Sequence, residues 1–371
     1  MRVEKITDKE CICILMLYIM GTTLILGIGG KAKNDAWLAG ITGILLSLPM
    51  IFIYSRIQAV FPGKDLFEIL ELIFGRLFGR VISLIYIWYA FHLGALVLRN
   101  FGEFVKTVAL PETPMFFPML CMALLCIAIV RLGIEEIGRF SAYMLPVLLI
   151  IIIIVQFFAL TVFKLENLKP ILDGGLKPIL ESGFSAFAFP FAETVLFLGI
   201  TFSLKTRKAP YKVFFTSVLF AGFIIVALTI RNIGVLGQMT SMIYFPAHVA
   251  VSRINIMDFV QRMELTVVIV FIMGAYVKST VCLYVASKGI ANILKLKDYR
   301  SVVMQMGLLM LYLAYILYSN IMQMRYWAIN IYQYYAFPMQ VILPIIIWIF
   351  AEVKRKKFKL ERADINPPLN Q

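Results

Sequence analysis

Apolar runs about as long as a bilayer is thick recur along this chain, and no other feature limits its folding so tightly. They fall at roughly 11–30, 36–56, 81–105, 115–132, 141–163, 184–204, 211–235, 264–289, 301–320 and 335–352. A hydrocarbon core of about 30 Å is crossed by roughly 20 apolar residues of helix. Backbone groups at that depth must be satisfied within the chain, which leaves the helix as the economical solution. The polar segments between runs are too short to form a soluble domain. With 61% hydrophobic and 15% charged residues, the composition departs from the quarter charged that is usual of soluble domains. The expectation is an all-α integral membrane protein with ten transmembrane helices.

The net charge of +14 raises the question of nucleic acid, and its distribution answers it. With the N-terminus taken as cytoplasmic, 23 of the 35 Lys and Arg residues lie in segments on the inner side, 11 lie on the outer side, and Lys278 lies within a span. This bias is the positive-inside signal of a membrane protein with both termini inside, so no nucleic-acid partner is expected. The tail KRKKFK (354–359) reads as a solvated stop signal or a contact to anionic lipid. Cys11, Cys13, Cys121, Cys126 and Cys282 all sit in apolar runs without metal-ligand spacing, and neither His92 nor His248 has a second histidine nearby. No metal or cofactor is expected. The first run lacks a small-residue cleavage site, so a signal peptide is not expected.

Two segments between spans have a pattern of their own. FPGKDLFEILELIFGRLFGR (61–80) alternates apolar and charged residues at helical spacing, as an inner-surface helix does. The outer segment 236–263 is long and amphipathic, and reads as a cap over a vestibule or as a connecting loop.

From Phe184 to Leu204 the one charged residue is Glu193, three residues after Pro190. A proline inside a helix costs about 3 kcal/mol, and a carboxylate at membrane depth adds roughly 2.5–3.5 kcal/mol. Two such costs side by side imply an unwound segment offering backbone groups and a carboxylate to a polar guest; the alternative is a kink with an internally paired Glu. Span 1 has a weaker counterpart at Gly21, Thr22 and Thr23, readable as an unwinding point or as a close helix contact. Spans 1 and 6 each open a group of five, and five is odd, so the second group enters from the opposite side. Interrupted helices at matching places in two inverted halves point to a midplane binding site. Lys278, mid-span, either stands where a coupled transporter holds sodium or pairs with Glu193. In span 3, Tyr89, His92, Arg99, Asn100 and Glu103 share one inward face, with Tyr89 the deepest and the best candidate for ligand contact. Phe187, Phe189 and Phe191 form a candidate aromatic wall.

Several local patterns, in order and spacing, resemble one family. They are EKITDKE (4–10), GTTLILGIGGKAKNDAWLAG (21–40) with Asp35 and Trp37, FPGKDLFEILELIFG (61–75), LPETP (110–114), FPFAE (189–193), and FPAHVAVSRINIMDFVQRME (245–264) followed by Lys278. Together they resemble the B subunits of spore nutrient-germinant receptors, the spore germination permease family within the amino acid–polyamine–organocation (APC) superfamily. The chain departs from that pattern at Glu10, where Gln is usual, and at Phe271, where Trp is commoner.

The resemblance implies a LeuT-like five-plus-five inverted repeat with broken helices 1 and 6. The corresponding divisions are a cytoplasmic N-terminus (1–10), a first repeat (11–163), an outer connection (164–183), a second repeat (184–352) and a basic tail (353–371). It implies residence in the spore inner membrane, receptor A and C subunits as partners, and a small-molecule germinant, usually an amino acid. The pocket would form from Gly21, Thr22 and Thr23 with Phe189, Pro190, Phe191 and Glu193, and Lys278 would substitute for sodium. An amino acid permease working by alternating access, or a cation-release pathway, would use the same pocket. An enzymatic role has no nucleophile–base pair, phosphate loop or metal cluster to support it.

Overall fold

The computed structural model describes residues 4–201, 204, 206–254 and 262–365, with side chains described as far as Arg355. Residues 255–261 of the outer segment and 366–371 of the tail lie outside the described residues, as do the side chains of the KRKKFK run beyond Arg355. The described secondary structure is helical. Eight helical segments are long and apolar enough to cross a membrane, and two more apolar helices, Phe116–Leu132 and Arg300–Ile316, have 17 residues each. The expected count of ten full-length spans is therefore met by eight, with two shorter helices at the places of the fourth and ninth.

In chain order the helices are α1 (Asp8–Met20), α2 (Thr23–Leu26), α3 (Ala36–Val60), α4 (Leu66–Phe104), α5 (Phe116–Leu132), α6 (Ile134–Ala159), α7 (Leu176–Ala186), α8 (Ala209–Leu236), α9 (Pro246–Ser252), α10 (Glu264–Leu294), α11 (Arg300–Ile316), α12 (Ile321–Tyr326), α13 (Tyr332–Phe337) and α14 (Leu343–Ile365). Thr7 starts α1 with a capping box to Glu10, and Asp65 starts α4 with another to Glu68. Within α4, Gly75 turns at φ +77, a conformation that only glycine adopts cheaply. It separates the amphipathic stretch 66–74 from the membrane-length stretch that follows, so the helical pattern read over 61–80 is divided at Gly75.

The sixth and tenth spans begin well before their apolar runs. The sixth begins at Leu176, eight residues before its run, because Lys177 and Glu181 ride on an exposed face while Ile179, Ser182 and Gly183 are buried. The tenth begins at Ile321 and winds through Arg355, taking in Tyr332, Gln333 and Gln340. Its early turns are too polar to read as membrane helix.

The interhelical segments sort to two ends. At one, Glu4 binds Tyr284, Tyr299 and Arg300, the Lys5 amide donates to Glu135, Lys288 meets Asp65 at 3.1 Å, and Arg56 pairs with Glu352. At the other, the Asp35 carboxylate accepts from the Leu172 amide, Asn167 donates to Gly234 O, and Arg325 donates to the carbonyls of Ser241 and Met242. The first end gathers the segments that are rich in Lys and Arg. The core runs between these ends, and its most buried spans are the two broken ones, Asp8–Leu26 and Leu176–Gly199. Helices interrupted at membrane depth are tolerated where protein surrounds the break, and α1 packs between α6, α8 and α10.

Candidate functional site

The first break lies between α1 and α2. The Gly21 amide still donates to Leu17 O at 2.8 Å, but Gly21 turns to φ −1°, ψ −108° and ends the helix. A Cβ built on Gly274 of α10 would lie 2.9 Å from Gly21 Cα, so two backbones touch here. One on Gly21 would lie 3.0 Å from Cδ of Lys278. The lysine stem passes where a side chain would otherwise be. Thr23 returns its hydroxyl to Ile19 O at 3.0 Å, whereas the buried Thr22 hydroxyl finds no partner among the described residues.

The second break spans Phe187–Phe191, where Phe189 is extended (φ −133°, ψ 113°) before Pro190. The chain then winds tightly through Ala192–Gly199. Carbonyls around this break are taken up by side chains, two of them from other helices. Gln340 Nε2 donates to Ala188 O at 2.8 Å, Thr194 Oγ1 to Phe191 O at 2.7 Å, and Tyr18 OH to Glu193 O at 3.2 Å. Unsatisfied, each would carry a desolvation cost of a few kcal/mol.

The two breaks meet at a fully buried ion pair. Lys278 Nζ donates to Glu193 Oε2, and Tyr332 OH donates to Glu193 Oε1 at 2.5 Å. Both charged side chains are 0% exposed. The ammonium also faces the rings of Phe189 at 4.6 Å and Tyr18 at 5.2 Å, a favourable contact that strengthens when desolvated. From Tyr332 the polar contacts continue to Tyr89 OH at 3.2 Å, which accepts from Gln340 Nε2 at 2.7 Å; Tyr54 OH donates to Gln340 O. Glu193 is thereby linked through Tyr332 and Tyr89 to the last span and to α3.

Above this pair, at the end opposite the basic one, opens a vestibule of about 430 Å³. Its walls are the glycine-rich turn 27–30, α7, the outer segment around 240–246, and the first turns of the tenth span near Arg325 and Gln333. Phe189 lines it as well, so one ring has the vestibule on one side and the ammonium on the other. The volume lies within the range of about 300–1,000 Å³ that small-molecule sites occupy. Thr240, Ser241, Ile243, Tyr244 and Pro246 of the segment 236–263 contribute a wall to it.

Of the residues singled out in the sequence, Gly21, Glu193, Lys278, Tyr89 and Phe189 come together in one connected cluster. Of the two roles open for Lys278, the geometry has the ion pair. Thr22, Pro190 and Phe191 are buried beside the breaks without facing the vestibule. The three phenylalanines do not form one wall: Phe187 stacks on Phe184 at 6.1 Å and Phe191 is in the core. On α4, His92 lies against Trp88 at 5.5 Å and reaches the cluster through the ring of Tyr335, whereas Arg99 pairs with Glu103 at 2.8 Å, away from it. Sequence reading missed Tyr332, Gln340, Tyr18 and Tyr54. The first two lie eight residues apart on one helical face, a spacing that flags them once the tenth span is known to start at Ile321. Among the described residues no group of three or more His, Cys, Asp or Glu is placed to hold a metal.

Comparison with known proteins places this geometry in context. The family model described as "Spore germination protein" matches residues 5–324. Spore germination protein KB of Bacillus subtilis (strain 168) is 29% identical over 374 residues, covering 98% of this chain and 99% of that one. Spore germination protein A2 of the same organism is 24% identical over 331 residues, covering 87% of each. Among solved structures, Mhp1, a nucleobase-cation-symport-1 family transporter in a closed conformation with bromovinylhydantoin bound, superposes with a TM-score of 0.63 at 11% identity, over 95% of this chain and 79% of that one. MhsT in complex with L-phenylalanine gives 0.65 at 13% identity, over 93% and 88%. These structural likenesses show that the chain has the LeuT-like helical fold of those two proteins.

Proposed function

The chain belongs to the spore germination protein family matched by residues 5–324, and from that premise we propose that it is the membrane-embedded nutrient-sensing subunit of a germinant receptor. As a multi-pass membrane protein of transporter fold it is a non-enzymatic receptor or transporter. In the proposed reading a small germinant, an amino acid being the leading class, enters the vestibule and reaches the space between the broken helices. The carrying observation is Phe189, which lines the vestibule and covers the ammonium of the Lys278–Glu193 pair. A ligand that moves this ring exposes the pair, and the tightly tied carbonyls of the second break must rearrange with it. Such a ligand shifts the bundle only by as much as it prefers one arrangement over the other.

Gly21 to Thr23 supply the facing backbone, with Tyr89 and Tyr332 behind the carboxylate. The basic end faces the spore core, with both termini there, and the shift is read by receptor A and C subunits in the spore inner membrane. The two repeats, 11–163 and 184–352, would move against one another around the fixed pair.

The test is loss of refractility in spores carrying Glu193→Ala, exposed to single amino acids and sugars, with the abundance of the variant in the spore membrane measured alongside. Loss of the response to one nutrient at normal abundance supports the sensor and names its ligand class. Persistence of every response overturns a sensor acting through Glu193. The transporter fold of Mhp1 and MhsT favours a second reading, an amino acid permease. Uptake into proteoliposomes that depends on Glu193 would establish transport, whether or not sensing accompanies it.

A further inference from the structure

Three cationic side chains are buried in the described body: Arg99, Arg231 and Lys278. Two of them have a carboxylate. Lys278 pairs with Glu193, and Arg99 pairs with Glu103 at 2.8 Å. Arg231, near the end of α8 and 6% exposed, is different. Its Nε and Nη2 both donate to one neutral oxygen, Asn232 Oδ1, at 3.1 and 2.7 Å. Among the described residues no carboxylate pairs with it. A guanidinium carries five N–H donors and a permanent charge, and burying such a charge without a counter-charge is unfavourable.

Beside it lies a void of about 30 Å³. Its walls are aliphatic except for Arg231 and Thr266. Thr266 donates its hydroxyl proton to Met263 O at 2.6 Å, which leaves the guanidinium as the group that offers N–H bonds and positive charge there. One water needs roughly 10–15 Å³ of such space, so a small ion fits. The void is open on one side, and because its other walls are aliphatic they offer no further donors for the several oxygens of an oxyanion, which favours a monatomic one.

We propose that Arg231 binds a monatomic anion of the halide class, chloride in physiological media, in this void. The ion supplies a counter-charge in the place where, among the described residues, a buried cation faces a neutral amide. It also links helices. Leu24 and Ile25, just past the first break, line the same void as Leu228 of α8 and Val267 and Val270 of α10. An occupied site therefore holds the outer part of the first helix against two neighbours, independently of what the vestibule binds.

The full chain, purified in a phospholipid-free detergent micelle, is melted in sodium chloride, sodium bromide and sodium gluconate at equal ionic strength. The expected result is a melting temperature about 2–4 °C higher in either halide than in gluconate. Arg231→Gln is expected to lose that difference and Arg231→Lys to retain part of it. Equal melting of the unaltered chain in halide and gluconate overturns the proposal, whether or not the variants fold. So does an undiminished halide effect in Arg231→Gln, which would place the ion elsewhere.

Discussion

At the first break the chain turns on a glycine, and the space around it is filled by backbone: Gly21 lies against Gly274, with the stem of Lys278 threading past. At the second, Pro190 follows an extended Phe189, and the freed carbonyls are held by Gln340, Tyr18 and Thr194 while Glu193 is neutralised by Lys278. One interruption is made by removing a side chain, the other by adding polar ones. The difference matters because the two respond to different perturbations. A break that depends on close approach is sensitive to volume, and one that depends on paired charge is sensitive to the loss of either partner. Lys278 belongs to both: its stem uses the gap that the first break leaves and its ammonium completes the second.

The comparison is broken most severely at that lysine. Lys278→Met leaves Glu193 buried without its partner, and the expected loss is about 3–5 kcal/mol. It should be seen as a collapse in membrane abundance and in melting temperature of the purified chain. Adding Glu193→Gln to the same chain should recover most of that loss, since replacing both members of a buried pair is far milder than removing one. A double variant no more stable than Lys278→Met would show that the pair is not what holds the second break.

Volume is the next lever. Gly274→Ala places a methyl 2.9 Å from Gly21 Cα, an atom that cannot swing aside as a side chain can. Overpacking of this kind costs roughly 1–3 kcal/mol, and the matching thermal shift should appear without any change in the Glu193 pairing. An unaltered melting temperature would mean that the first break has slack.

The smallest expected effect, a difference of about 1 kcal/mol between two hydroxyl deletions, sharpens the comparison at the rim of the second break. Tyr332→Phe removes the 2.5 Å hydrogen bond to Glu193 Oε1 and keeps the ring, so the loss is that of a bond to a charged group, about 1.5–3 kcal/mol. Measured beside Tyr54→Phe, whose hydroxyl serves the neutral Gln340 carbonyl, it should be the larger of the two. Equal losses would argue that the network does not depend on the charge at its centre.

Much of this architecture was legible in the residue order. Pro190 next to Glu193 in a run otherwise free of charge announced the second break, because both residues are costly in hydrocarbon and neither persists there without a local reason. Glycine and two threonines announced the first less firmly, since the same residues serve ordinary close packing. Tyr332 escaped notice because Gln323, Arg325, Asn330 and Gln333 make the early turns of the tenth span read as a loop, and Gln340, inside the run 335–352, had no polar neighbour on its face until those turns joined the span. Only packing shows that these turns enclose a vestibule. The wall of three phenylalanines failed for a related reason: residues two apart on an interrupted helix do not keep a common face once Phe189 becomes extended.

The sequence by itself determined that the chain is a bundle of membrane helices, which two of them are interrupted, and the alternation of basic segments between the two ends. These follow from transfer energetics, which depend on the composition of short windows and need no knowledge of neighbours. Tertiary structure decided that Lys278 neutralises Glu193, that tyrosines from distant helices bind both the carboxylate and the freed carbonyls, and that Arg231 is left facing a neutral amide. Residues 85 and 139 positions apart in the chain become partners through how the helices pack, and no local window records that.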